Sequence, residues 1–467
     1  MKLLLTLSIL SVSLLLPLGC KSPQTVLNQN QTDRLTSADE AFLDSLQRDT
    51  FGYFWELANP QNGLIPDRAP SPSFSSVAAV GFGLTSYLVG IERGYITRQQ
   101  AAERVLNTLR FFWNAPQSPD PVNATGYKGF FYHFLDMNTG LRFKQVELST
   151  IDTVLLLGGI LSCQTYFDGE NAAETEIRKL ADDIYRRCDW TWFQKNHPLV
   201  SMGWHPESGF ITAHWQGYNE AMLLYILALG SPTHSIQPDG WQAWTRTYEW
   251  ATFYDQPHVN FEPLFGHQYS HIWVDFRNIQ DSYMRQRGID YFENSRRATL
   301  SNRAYCVANP RGWVGYGPNV WGLTACDGPR DYSLPETEEL KKFMSYSARG
   351  ASAQRIIDDG TIAPTAAGGS LAFAPEVCVP ALRTMKYRFG NKLYDRYGFR
   401  DAFNLTYRFG PGNEEGWFDK DYLGIDQGPI LLMAENLRTE FVWNLMKKNP
   451  YIRQGLIRAG FTGGWLQ

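Results

Sequence analysis

Carboxylates set among aromatic side chains recur in this chain. Glu220 stands in HWQGYNEAMLLY (214–225), where a polar aromatic stretch meets an apolar run. Glu207 lies just upstream in WHPESGF, and Asp136, Glu147 and Asp152 stand beside Tyr132 and His133 in GFFYHFLDMNTGLRF and VELSTIDTVLLLGG. Asp401 sits in YGFRDAFN. Acids in such settings are the material for glycoside hydrolysis. That reaction needs one carboxylic acid held protonated to serve the leaving oxygen, and one carboxylate to activate water or attack the anomeric carbon. An apolar aromatic wall raises the first pKa by desolvation, while polar hydrogen-bonded surroundings keep the second group ionised. Glu220, between Trp215-Tyr218 and Ala221-Met222-Leu223, has surroundings of the first kind. A carboxylate at a helix start is otherwise a cap or a dipole partner, which is the alternative for Asp152.

Other chemistries find less support. His267 and His271 are four apart, but there is no H-E-x-x-H motif and no C-x-x-C pair, so no catalytic metal or cofactor is expected. No G-x-S-x-G elbow presents a nucleophilic serine. With 43 Lys+Arg against 47 Asp+Glu, the net charge of -4 offers no footprint for nucleic acid. The 15 Trp and 24 Tyr suit a neutral partner with flat C–H faces, such as a sugar, although core packing is the competing use of each ring.

The elements that must position these acids read as helices. Ser37-Ala-Asp-Glu40 has the form of a capping box, and helical runs follow at about 74–94, 97–115, 148–168, 171–195, 218–230, 238–255, 279–303, 335–349, 374–390 and 428–447. The turn Asn138-Thr139-Gly140 predicts a short hairpin within 129–143. No fixed sequence period supports a solenoid. Uneven connections at 115–147, 196–217 and 304–334 instead concentrate Trp, His and acids, as loops gathered at one end of a toroid would. The expected fold is all-α, an (α/α)6 barrel of helical hairpins, formed by residues 37–467 as a single domain.

Ahead of that domain, MKLLLTLSILSVSLLLPLGC reads as an export signal (1–20) of lipoprotein type, with Pro17 standing where the usual lipobox prefers Leu. Cys20 would carry the lipid and residues 21–36 would form a tether, giving a periplasmic or cell-envelope lipoprotein whose membrane contact is that anchor. Of the five remaining cysteines, Cys163 and Cys188 read as buried thiols, and spacing leaves any pairing open.

The set WHPESGFITAHWQGYNEAMLLYILALGSPTH, FGHQYSHIWVDFR, GLTACDGP, DDGTIAPTAAGGSLAFAPE and YGFRDAFN resembles the glucoamylase-like bacterial family that includes the endo-β-1,2-glucanases, glycoside hydrolase family 144. The resemblance runs from about residue 36 to 467. It implies an (α/α)6 barrel that hydrolyses linear or cyclic β-1,2-glucan to short sophoro-oligosaccharides with inversion and without a metal; a monomer is expected separately. Carried over on W-x-G-Y-N-E-A, it makes Glu220 the leading general acid, with Glu207 second. Asp401 ranks first as base, ahead of Asp136 and Glu147. Tyr132, His133, Trp204, His205, Trp215, Tyr218, His271, Trp273 and Trp321 are the expected substrate-binding residues. A glycan-binding lipoprotein without catalysis, or a hydrolase of another glucan linkage, are the alternatives.

Overall fold

The computed structural model describes residues 35–195, 197–333 and 342–467. Among them, six helices form an inner ring: Val77–Glu92, Thr150–Tyr166, Met222–Gly230, Tyr269–Trp273, Pro364–Gly368 and Gly424–Thr439. Their sequences are apolar or small nearly all round, and a helix with no polar face has to be covered on every side. Every residue from Met222 to Gly230 is buried accordingly. Outer helices supply the cover. Ala172–Arg186, for example, buries Ile177, Leu180, Ala181, Ile184 and Tyr185 on one stripe, with Glu174 the one charge it also buries.

Close approach closes the ring. A Cβ on Gly159 would lie 2.1 Å from the Gly81 carbonyl oxygen, so the 77–92 and 150–166 helices touch through backbone that only glycine permits. Next, the Leu223 N–H donates to Ser270 Oγ (2.9 Å), and Gln268 Nε2 donates to the Ala366 carbonyl (2.8 Å). Gly368 then faces Ile430, and Gly428 faces Phe82, which returns the ring to its start. The architecture is the expected (α/α)6 toroid.

Short strands fix one end of this ring. Ser75–Ser76 pairs with Phe134–Leu135 and runs straight into the 77–92 helix, whose N-cap is Ser76. Leu148–Ser149 lies in a five-stranded sheet with Gly126–Tyr127, Phe130–Tyr132, Gly203–His205 and Gly209–Phe210, and runs into the 150–166 helix through the cap Ser149. Tyr422–Leu423 pairs with Arg68–Ala69 before the 424–439 helix. The N-terminal ends of three inner helices are thereby tethered to strands flanked by acids, among them Asp67, Asp136, Glu147 and Asp421.

Several boundaries differ from the sequence expectation, each for a local reason. The first cap is Thr36 with Asp39, one residue ahead of Ser37 with Glu40. The 279–303 run is split by left-handed Gly288 into Ser282–Arg287 and Tyr291–Ala308. Left-handed Glu440 divides 428–447. The 238–255 run stops at Thr245 and becomes the hairpin Trp250–Phe253/Gln256–Val259. Within 342–349 there are strands, Lys342–Phe343 and Ser347–Ala348, where a helix was expected; the rest of that run lies outside the described residues. The turn at 138–140 does close a hairpin, through the Leu135–Arg142 bridge. All five cysteines after Cys20 are buried free thiols. The signal, tether and Cys20 lie outside the described residues, and no described helix is long and apolar enough to cross a membrane.

Candidate active site

Glu220 sits in the turn two residues before Met222, held there from both sides. Ser270 Oγ donates to its carbonyl (2.9 Å), and Asn219 Oδ1 accepts from the Ala221 N–H (3.0 Å), so Asn219 rather than Glu220 serves the helix start. Among the described residues the Glu220 carboxyl is in no ion pair, and it is only partly open to solvent. Burial raises its pKa to about 7, against the pull of its own backbone N–H, and the nearby Asp152 charge adds to the rise.

Beside it stands a group organised by His133. Nδ1 of His133 is 2.8 Å from Glu147 Oε1, and Nε2 is 3.5 Å from Asp152 Oδ1. Burial alone would lower the imidazole, but the Asp152 charge and the Glu147 hydrogen bond outweigh it and hold His133 at about 9. Burial would raise Glu147, yet the bond and charge of His133 keep it below the usual carboxylate range. Asp152 is raised by burial, while His133 and the Ser149 hydroxyl (2.5 Å) pull the other way. His133 also stacks on Phe134 at 3.8 Å, and Phe134 packs on Phe74 (4.2 Å), giving a partly exposed aromatic face at this edge.

A second acidic group adjoins the first through Asp67. Arg68 binds Asp67 Oδ2 (3.1 Å) and Asp327 Oδ2 (2.5 Å). The Asp327 N–H donates to Asp401 Oδ2 (2.8 Å). Asp401 and Asp426 are 1% and 4% exposed, and burial pushes both upward; the charges of Asp426, Asp327 and Asp419 add to the rise at Asp401, while at Asp426 the hydrogen bond with Asp401 pulls down against burial and the charges of Asp327, Asp67 and Asp419. Asp419 is raised to about 6 by burial and by the charges of Asp327 and Asp421, against the pull of the Asp421 N–H. Tyr346 joins the two groups. Its ring is 62% exposed, while its hydroxyl is raised to about 12 by burial and by the charges of Cys326, Asp401, Glu220 and Asp327. Glu220, the His133 group and the Asp401 group therefore share one mouth of the toroid. A recess of about 510 Å³ at the C-terminal ends of the inner helices is also polar, but its acids are already bound: Glu435 by Arg93 (2.7 Å) and Gln47 (2.8 Å), Glu92 by the Tyr166 hydroxyl (2.7 Å) and Asp168 by Arg98 (3.0 Å).

The structure brings Glu220, Glu147, Asp401 and His133 together and sends other expected residues elsewhere. Asp136 is a turn cap: its Oδ1 accepts from the Asn138 and Thr139 N–H groups and the Thr139 hydroxyl, which holds it below the usual range. Glu207 is exposed and locked in a two-pronged pair with Arg142 (2.7 and 3.1 Å), which keeps it ionised rather than proton-bearing. Most of the expected sugar-binding aromatics are core. Tyr132, Trp273 and Trp321 are 0% exposed and His271 is 1% exposed. Trp215 donates to Thr150 Oγ1 from a buried position, and Tyr218 packs among Trp244, Tyr248 and His267. Trp204 and His205 keep partial exposure on strand Gly203–His205. Asp67, Arg68, Asp327, Asp419 and Asp426 were missed. The acid-rich run GNEEGWFDKDYLGID ahead of the 424–439 helix was the signal for the last two.

A helical toroid whose inner helices begin in an acid-lined mouth is the class that fold and site define. The family model described as "Putative glucoamylase" matches residues 212–450. An exo β-1,2-glucooligosaccharide sophorohydrolase of Parabacteroides distasonis is 31% identical over 466 residues. That match covers 92% of this chain, which spans 59% of the relative's length. Among solved structures, a Bacteroides uniformis protein described as a "putative glucoamylase" superposes with a TM-score of 0.79 at 33% identity, covering 92% of this chain and 99% of that one. The endo-β-1,2-glucanase from Chitinophaga pinensis, in complex with sophorotriose and glucose, gives 0.78 at 29% identity, with 92% and 99% covered. The chain belongs to this glucoamylase-like family, and its likeness to the glycoside hydrolase family 144 type stands.

Proposed function

We propose that the protein hydrolyses β-1,2-glucan by general acid/base catalysis with inversion, cutting within the chain. The carrying observation is Glu220: a carboxyl without a side-chain partner, in a mouth shared with ionised acids, and raised to about 7 by burial. At neutral pH and below it holds the proton that a departing glycosidic oxygen needs. Asp152 is the base in this reading, since its charge is the one felt at Glu220 and His133 stands against it. It takes a proton from the water that attacks the anomeric carbon, as Glu220 gives its own to the leaving oxygen. Asp401 suits that step less well, because its Oδ1 is sealed from solvent and its Oδ2 accepts the Asp327 N–H. The named activities of the Parabacteroides and Chitinophaga relatives support the linkage, and the end-to-end match with the endo-acting relative supports internal cleavage.

The test is product analysis on linear β-1,2-glucan beside β-1,3-, β-1,4- and α-linked glucans. Short sophoro-oligosaccharides of mixed length, from the first substrate alone, are expected. Release of one disaccharide only would replace endo with exo action, and binding without release would replace the enzyme with a glycan-binding protein. Glu220→Gln is expected to lower kcat by about 100- to 10,000-fold at an unchanged melting temperature. The reading also places the protein outside the cytoplasm as a monomer, tethered by lipid at Cys20. Labelling with a fatty acid, lost in Cys20→Ala, checks the tether.

A further inference from the structure

Among the described residues, the Asp401 group has more negative charge than the cations beside it balance. Asp67, Asp327, Asp401, Asp419 and Asp426 converge, and the cation among them is Arg68, already shared by Asp67 and Asp327. Arg349 lies near, but it is consumed by Asp359 in a pair with both side chains 0% exposed. Two carboxylate oxygens in the group, Asp401 Oδ1 and Asp426 Oδ2, are buried and take no N–H donor among the described residues; the two carboxyls meet each other only through a shared proton, whose place an ion can take. Leaving buried acceptors unmatched is costly, and leaving buried charges unmatched costs more.

Geometry supplies the remedy. One oxygen each from Asp327, Asp401 and Asp419 lies within 4.8 Å of the other two. Three atoms so placed have a common centre within about 2.8 Å of each, close to the roughly 2.3–2.6 Å of calcium–oxygen bonds and long for magnesium. All the donors are oxygen, which selects a hard divalent ion over zinc or copper. We propose that Asp327, Asp401 and Asp419 bind one divalent cation of the calcium class, with Asp426 closing the site from the first turn of the 424–439 helix. The ion ties together the loop after strand Ala325–Cys326, the loop after Gly398–Phe399 and the segment between Trp417–Phe418 and Tyr422–Leu423. This places a structural ion at the rim of the mouth and does not depend on what is hydrolysed there.

His133, Glu147 and Asp152 are as close together and do not call for an ion. There the imidazole lies against both carboxylates and carries the positive charge itself.

The experiment dialyses full-length protein against EDTA, then follows melting temperature and bound metal as CaCl2, MgCl2 or MnCl2 is added. Calcium is expected to raise the melting temperature saturably by several degrees with one ion bound per chain. Asp419→Asn should fold as well as wild type in EDTA or better, because it removes repulsion, and should bind calcium at least tenfold more weakly. Glu415→Gln, an exposed acid outside the group, should respond as wild type does. The proposal is overturned if none of the three ions gives a saturable rise, or if Asp419→Asn keeps the wild-type response, which would place the ion elsewhere. A fourth result, no ion bound and Asp419→Asn more stable than wild type at every calcium concentration, would also overturn it, by showing that protons alone relieve the group.

Discussion

Two clusters of acid stand at one mouth of this toroid and solve the same electrostatic problem differently. Glu147 and Asp152 flank His133, and that cation keeps Glu147 below the usual carboxylate range and works against burial at Asp152, where burial still prevails. Asp401 and Asp426 come from separate segments and meet with no cation of their own, so burial and repulsion drive them toward a proton or an ion. Buried acids become usable or unusable as bases according to what stands next to them. The first cluster sets a cation against its two carboxylates beside Glu220, and the second is arranged to be neutralised. Asp359 is a third case, matched one to one by Arg349 with no exposure at all.

The largest effect should follow from deleting the charge of the first cluster that faces Glu220. Asp152→Asn is expected to lower kcat by about 100- to 10,000-fold with little change in KM, measured as initial rates of reducing-sugar release. If Asp152→Asn keeps more than a tenth of the wild-type rate while Asp401→Asn is inactive and folded, the roles assigned to the two clusters must be exchanged. Next in size is a change that turns the matched acid into an unmatched one. Arg349→Met leaves Asp359 buried without its partner, and should cost about 3–5 kcal/mol of stability in denaturant unfolding. A loss below about 1 kcal/mol would mean that Asp359 takes up a proton at little cost.

How far the sequence reveals this arrangement depends on the range of the contacts involved. The toroid is legible in part because apolar runs such as Val77–Glu92 and Met222-Leu-Leu-Tyr-Ile-Leu-Ala-Leu-Gly230 show almost no polar face, whereas the five-residue inner helices Tyr269–Trp273 and Pro364–Gly368 are too short to show a helical period. Glu220 is legible for the same local reason, since the wall and the apolar helix that desolvate it are its sequence neighbours. The aromatic residues mislead because Trp and Tyr serve core and cleft equally well, and the chain does not say which side of a strand faces in. Tyr132 and His133 are adjacent, yet one is sealed under Arg142 and the other opens to the mouth. The Asp401 cluster is the least legible part. Asp67, Asp327, Asp401 and Asp426 are far apart in the chain, and only closure of the ring brings them within reach of one another.

A moderate effect should come from making the first cluster resemble the second. His133→Gln removes the cation, so Glu147 and Asp152 should both titrate higher and the acidic limb of the pH–rate profile should move up. Stability gives an independent reading. The folded pKa of His133, about 9, is above its unfolded value of 6.5, so its contribution is full below pH 6.5 and is lost as pH rises through about 9. Glu220 has the same sign, its contribution being full below 4.5 and lost through about 7. Wild-type melting temperature should therefore fall from pH 6.5 to 9, and in His133→Gln that part of the slope should disappear. An unchanged slope would show that the imidazole is not the charge that sustains the cluster.

The smallest expected effect separates an acid in the mouth from one at its edge. Glu207 lies 37% exposed against Arg142, whose own side chain is 2% exposed, stacked on Tyr132 and bonded to the Val146 carbonyl. Glu207→Gln keeps the shape and one acceptor for Arg142 while removing a solvent-screened charge, so stability should change by less than about 1 kcal/mol. Activity should stay within about twofold, and its pH profile should not shift, because an ionised carboxylate in a two-pronged pair donates no proton. A loss approaching that of Glu220→Gln would move the general acid to Glu207 and require Arg142 to release it when glucan binds.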